Sequence, residues 1–190
     1  MDLVSILIIA GPLAVVYFWY VSIVTKNNAV KEAFSGIDVQ LKKRTDLIPN
    51  ILKIANKFMT HEKELLEEVT RLRADVLKAS QGNAAVNSEE RFKLEGMLEN
   101  KMSGLMVSVE NYPDLKSQEN MVEAQRVFAD VEEHISASRR NYNSALTALK
   151  NSVEIFPGNL IAKMVKVDMP AYFEIPEIER KAVNADDFLN

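Results

Sequence analysis

Cysteine is absent from the 190 residues, and His61 and His134 are the only imidazoles. Disulfide frameworks, thiolate zinc sites, iron–sulfur clusters and a cysteine nucleophile are therefore excluded. Glycine and proline number six each, too few for the many turns of an all-β barrel or sandwich. Basic charge is not concentrated either: residues 26 to 167 hold 21 Lys and Arg against 20 Asp and Glu, and residues 168 to 190 hold two against six. A nucleic-acid binder replaces phosphate counterions with a dense basic face, so no nucleic-acid partner is expected. What remains is a chain 47% apolar and 26% charged, in which Ala, Leu, Glu, Lys and Asn recur. That composition predicts a mostly helical globular protein with room for one ordinary domain and something small.

From Leu3 to Val24 there is no charged residue. As a helix these 22 residues would extend roughly 33 Å, against a hydrocarbon core of about 30 Å. Tyr17, Phe18, Trp19 and Tyr20 gather at the C-terminal end, where aromatic rings favour the headgroup level, and Lys26 follows in water. A signal peptide would want a basic start and a small-x-small cleavage site, whereas Asp2 precedes the run and aromatics stand near its end. The segment is read as an uncleaved anchor, residues 1–25, marked by Leu3, Ile9, Val16, Trp19, Tyr20 and Val24. Gly11-Pro12 is expected to kink it. Lys26, Lys31, Lys42, Lys43 and Arg44 follow the span, so positive-inside reasoning places the large C-terminal portion in the cytoplasm.

Beyond the anchor, apolar positions alternate steps of four and three through Val30, Phe34, Ile37, Leu41, Arg44, Ile48, Ile51, Ala55, Phe58, Glu62, Leu65, Val69, Leu72 and Val76. This 3.5-residue repeat predicts one long helix along a supercoil seam, and doublets such as Leu47/Ile48 and Leu65/Leu66 widen the stripe enough to need several covering neighbours. Residues 80–87 read as a loop, and Ser88 as the N-cap of a second helix carrying Leu94, Leu98, Met102, Leu105, Val109 and Tyr112. A third starts near Ser117 and takes its stripe from Met121 through Ala124, Phe128, Val131, Ile135, Ser138, Tyr142, Ala145, Leu149 and Ser152 to Phe156, where Pro157-Gly158 stops it. The expected fold is all-α: a transmembrane helix continuing into an elongated antiparallel bundle of three long helices and one short, over residues 26–166. Residues 167–190 form an acidic, proline-containing tail, disordered or docked through Tyr172, Phe173 and Ile175.

Chemistry has little to stand on in this sequence. His61-Glu62-Lys63-Glu64 opens the zinc-protease pattern HExxH, but Leu65 occupies the place of the second ligand, and the metal needs both imidazoles. Di-iron spacing would require carboxylates at positions 58 and 131, which hold Phe58 and Val131. No nucleophile elbow, phosphate loop or dinucleotide fingerprint occurs, so no catalytic residue, metal or cofactor is expected. Arg44 and Glu62 interrupt the apolar stripe, and Arg44 on a seam needs a carboxylate partner. With Asp46, Tyr112, Asp114 and Lys116 they are the candidate interaction or register residues. Pro49 should kink the first helix, because it leaves the Thr45 carbonyl without its N–H.

The run Ile37-Asp38-Val39-Gln40-Leu41-Lys42-Lys43-Arg44-Thr45-Asp46-Leu47-Ile48-Pro49-Asn50 is followed by His61-Glu62 and by Glu110-Asn111-Tyr112-Pro113-Asp114-Leu115-Lys116. Ser138-Arg139-Arg140-Asn141-Tyr142-Asn143 and Phe156-Pro157 come after it. Together these motifs closely resemble the LemA family of bacterial proteins over nearly the whole chain. The resemblance implies one N-terminal membrane helix, a helical bundle, and no established enzymatic activity. Phe34 stands where a tryptophan is usual, and Thr45 where an aromatic is common.

The leading expectation is a bacterial single-pass inner-membrane protein that is structural or adaptor-like, with the lipid bilayer as partner. Its bundle would self-assemble as a homo-oligomer or recruit envelope components. A regulatory subunit of a membrane protease or transporter complex is the alternative. An enzyme using a carboxylate pair such as Glu62 and Glu110 is a third reading.

Overall fold

The structure is a computed structural model and describes residues 3–80, 88–165, 167 and 169–173; the side chains of residues 3–9, 88 and 89 lie outside that description. Six helices and no strand occur among the described residues: α1 (Leu3–Ala55), α2 (Lys63–Ser80), α3 (Ser88–Val109), α4 (Pro113–Lys116), α5 (Glu119–Glu154) and α6 (Gly158–Val165). The all-α expectation holds. The chain divides into two compact units, Gly36–Ala137, and Met1–Ser35 with Ser138–Asn190, so α1 and α5 each contribute to both.

In the unit Gly36–Ala137 most of the seam is buried where the repeat placed it, at Ile37, Leu41, Arg44, Ile48, Ile51 and Ala55 on α1 and Val69, Leu72 and Val76 on α2, but Phe58, Glu62 and Leu65 are only partly buried, and Met59 and Leu66 take the inward positions beside them. The long helix does not continue to Val76, however. It stops at Ala55, and the Lys57 and Phe58 amides turn back to the carbonyls of Ile54 and Ala55, the tightening usual at a helix end. Asn56, Thr60 and His61 are poor helix formers, while Met59 turns into the core at 2% exposure. The sequence repeat carries through this break because α2 resumes the same apolar spacing. The neighbour that covers the widened stripe is partly α2 itself, folded back on α1.

Pro49 does not interrupt α1. The Thr45 carbonyl, deprived of its helical donor by Pro49, accepts Arg73 Nε from α2 at 2.9 Å. A proline that removes one bond inside a helix thus creates the acceptor that joins two helices. Lys101 Nζ and Glu68 Oε2, 2.7 Å apart, similarly tie α3 to α2. The second expected helix ends at Val109 rather than Tyr112; Pro113 instead occupies the first turn of α4, where its missing donor costs nothing, and Leu115 of that turn is fully buried. The next helix starts at Glu119, two residues later than Ser117.

In the other unit α1 and α5 run antiparallel, since Trp19 and Lys26 meet Ser152 whereas Phe34 packs on Tyr142, ring centroids 6.0 Å apart. Among the described residues its buried apolar side chains are Ile23, Val30, Ala33, Tyr142, Leu146, Leu149, Ile161 and Ala162. α5 ends at Glu154, so Phe156 does not close the stripe: it lies past the helix and is 72% exposed. Of the two readings left open for the tail, Tyr172 and Phe173 follow the docked one, with Tyr172 within hydrogen-bond distance of Thr147 Oγ1 and Phe173 against Tyr142, while Ile175 lies outside the described residues. The Asn143 amide donates to the Phe173 carbonyl and accepts the Phe173 N–H, both at 2.9 Å. This two-point pairing imitates a strand ladder from a helix side chain. The Tyr142 ring meets Phe173 edge-on at 5.1 Å, and its hydroxyl donates to the Ala171 carbonyl.

Two outcomes are expected. Arg73→Met should cost about 1–3 kcal/mol, because it strands a carbonyl that has no other donor; in a Pro49→Ala background, where the backbone supplies that donor, urea unfolding should show the cost largely gone. Burial raises the Tyr142 phenol above its ordinary value. A raised acid favours its neutral form in the folded state, so its contribution is complete below the unfolded value of about 10 and is lost as pH climbs through the folded one. Melting temperature should therefore fall more steeply at alkaline pH in the parent than in Tyr142→Phe.

Candidate functional site

The charged residue on the α1 seam is the centre of the most buried polar cluster among the described residues. Arg44 is fully enclosed, at a register position that points its side chain inward between Leu41 and Ile48. Its Nη2 donates to Glu95 of α3 twice, to the carboxylate at 2.5 Å and to the backbone carbonyl at 3.1 Å. Nη1 donates to Glu99 and to Glu132 of α5, each at 3.2 Å. Burial opposes the charge, but Glu132, Glu95 and Glu99 outweigh it and hold the guanidinium above its ordinary value. An arginine so held exchanges no protons in the ordinary pH range. The cluster is suited to holding three helices in one register, not to acid–base work.

Glu95 is the residue that sequence reading missed. Stepping back from Val109 through Leu105, Met102 and Leu98 by fours and threes reaches position 95, whereas Leu94, taken as the stripe residue, is only partly buried. A glutamate on one seam and an arginine on another were the available signal. Asp38 and Arg91, 3.0 Å apart, add a second α1–α3 ion pair one and a half turns from Arg44.

The other candidate residues are not brought to that cluster. Asp46 forms a surface pair with Lys42 at 2.6 Å. Glu62 is not on a continuous helix; its carbonyl accepts the Leu66 amide at the start of α2. Tyr112 packs against the core from the side, Asp114 is exposed in α4, and Lys116 pairs with Glu110. Glu110 is thus engaged at the surface rather than paired with Glu62. Both histidines are exposed. Among the described residues no group of three or more His, Asp or Glu is placed to hold a metal ion. A cavity of about 420 Å³ lies along α1 and α5, but its glutamate, Glu123, is bound to Arg126 and it gathers no set of reactive groups.

Leu3 and Ile9 belong to α1, their side chains outside the description. Val16 and Tyr20 are exposed at 47% and 46%, and Val24 is half-buried. Trp19 differs from the other aromatics of its run: it is partly buried and its Nε1 donates to the Ser152 carbonyl at 3.0 Å. Among the described residues no helix is long and apolar enough to cross a membrane; seven residues of the charge-free run, Leu3 to Ile9, fall outside the described side chains.

Arg44→Met should destabilise the chain by about 3–5 kcal/mol, because Glu95 is left buried and charged without its partner. Arg44→Met combined with Glu95→Leu should recover much of that loss in the same denaturant titration.

A LemA family model matches residues 33–186. The chain is similar to Protein LemA of Metamycoplasma hominis, 24% identical over 182 residues, covering 94% of this chain and 81% of that protein. It is also similar to Magnetosome proteins MamQ 1 and MamQ 2 of Paramagnetospirillum magneticum, each 19% identical over 191 residues, with 90% of this chain and 70% of the relative covered. The matched region takes in the Arg44 cluster, the Pro49–Arg73 joint and the Asn143 clamp, and the chain belongs to the LemA family.

Proposed function

We propose that this chain is a membrane-anchored, non-catalytic adaptor whose helical bundle self-assembles or recruits envelope components. One observation carries the anchor: every residue of α1 from Ala10 to Phe18 is exposed, although the stretch contains no charge. Leu13, Val15, Val16, Tyr17 and Phe18 are exposed at 64%, 51%, 47%, 63% and 69%, and at about 100° per residue they point around the whole helix. A helix apolar on all sides is stable in a protein core or in lipid. No described part of the chain covers this one; Leu3 to Phe18 extends about 24 Å as a helix, and the charge-free run, which continues to Val24, reaches as a whole the length a bilayer requires. The adaptor reading is supported by the character of the most buried polar cluster, in which Nη1 and Nη2 of Arg44 join α1 to α3 and α5 through Glu95, Glu99 and Glu132. The anchor would be single-pass in a bacterial inner membrane, with the bundle in the cytoplasm as the following lysines favour.

In membranes washed with alkaline carbonate, the full chain should stay in the pellet, and a variant with arginine at both Val15 and Val16 should be released. Release of the parent chain would overturn the anchor. Native mass spectrometry of the detergent-extracted protein should show an oligomer or a stoichiometric complex; a strict monomer that captures nothing on crosslinking would overturn the adaptor role.

A further inference from the structure

We infer that the outward face of α6, with the turn before it, is a second membrane contact, seated in the interfacial layer of the same bilayer; this rests on the anchor reading of α1. α6 buries Gly158, Ile161 and Ala162 on one side. Its other side presents Leu160 and Met164, exposed at 56% and 85%, and in the turn just before it Ile155 and Phe156 are 57% and 72% exposed. Four large apolar side chains on a single corner form a patch of the kind that soluble surfaces seldom leave uncovered.

The position of that corner says what covers it. Trp19 donates to the Ser152 carbonyl, Lys26 Nζ donates to Ser152 Oγ, and Gly158 is so close to both partners of the first bond that a Cβ would collide with the Ser152 carbonyl and the Trp19 nitrogen. The corner is thereby fixed to α1 at the level where the all-round exposure of Ala10 to Phe18 ends and burial begins, Trp19 being half-buried and Ile23 fully so. In an anchored chain that level lies within the last turn or two of the charge-free run, near the edge of the hydrocarbon. α6 is only about 12 Å long, so its whole outward face lies near the same edge. Lys163, exposed beside Met164, supplies the cation that anionic headgroups attract, the arrangement by which short amphipathic helices lie in the interface. Trp19 therefore serves the boundary by clamping α6 there, its indole N–H being committed to Ser152.

The natural absence of cysteine makes the test direct. Single cysteines replacing Val16, Leu160, Met164 and, on α3, the 69%-exposed Val107 are labelled with an environment-sensitive fluorophore in the full chain. The chain is reconstituted into phosphatidylcholine–phosphatidylglycerol nanodiscs carrying nitroxide lipids. All four sites but Leu160 and Val16 are more than two-thirds exposed, and those two are about half exposed, so folding is not at stake. The label at Val16 should be quenched most by a nitroxide near the bilayer centre. Labels at positions 160 and 164 should be quenched most by one near the headgroups, about twofold or more beyond position 107, as interfacial insertion requires. Quenching at 16 with none at 160 and 164 would overturn this inference and leave the anchor standing. No quenching at any site would overturn both. A blue-shifted but unquenched label at 164 that crosslinks to a second copy or another protein would assign the patch to a protein partner instead.

Discussion

The register of the unit Gly36–Ala137 depends on one buried guanidinium. Arg44 is the point at which α1, α3 and α5 are compared with one another, because a planar donor fork tolerates little sliding before its bonds to Glu95, Glu99 and Glu132 are lost. Apolar seams are forgiving: a helix displaced by one turn still buries leucines against isoleucines. A charge without its partners is not forgiven, since an unpaired buried ion is far more costly than a repacked methyl group. The leucine-rich surfaces supply most of the driving force, and the arginine selects which of their possible alignments is native.

A similar division of labour recurs along the chain. Pro49 frees the Thr45 carbonyl and Arg73 takes it up. Asn143 offers an amide where the tail needs both a donor and an acceptor. Each joint uses a backbone group that regular helix geometry would otherwise have satisfied or ignored. The motifs that stand out in the sequence thus prove to be fasteners between segments, which is why they contain charged and amide residues yet assemble no reactive centre.

At the other unit the governing fact is hydrophobic exposure. The same helix that is buried on its seam from Val30 onward is bare of cover from Ala10 to Phe18, and the corner of α5 and α6 is held beside the transition by Trp19 and Gly158. A side chain with an apolar body and one polar handle is well suited to such a boundary. Here the handle is satisfied inside the protein, so the apolar bodies around it are left for lipid.

Composition and periodicity alone determined that the chain is helical, where most of the apolar stripe of each helix runs, and that the catalytic patterns are broken at Leu65, Phe58 and Val131. These are local properties, set by side-chain spacing and backbone propensity within a turn or two. The tertiary structure alone decided that the first long seam folds back at Asn56–Glu62, that Glu95 rather than Leu94 faces inward, that Arg44 gathers three carboxylates, and that Phe156 turns outward. Those outcomes depend on which segments meet. A repeat of fours and threes reads the same whether its helix continues straight or reverses on itself, and a charge on a seam names the sign of its partner without naming the residue.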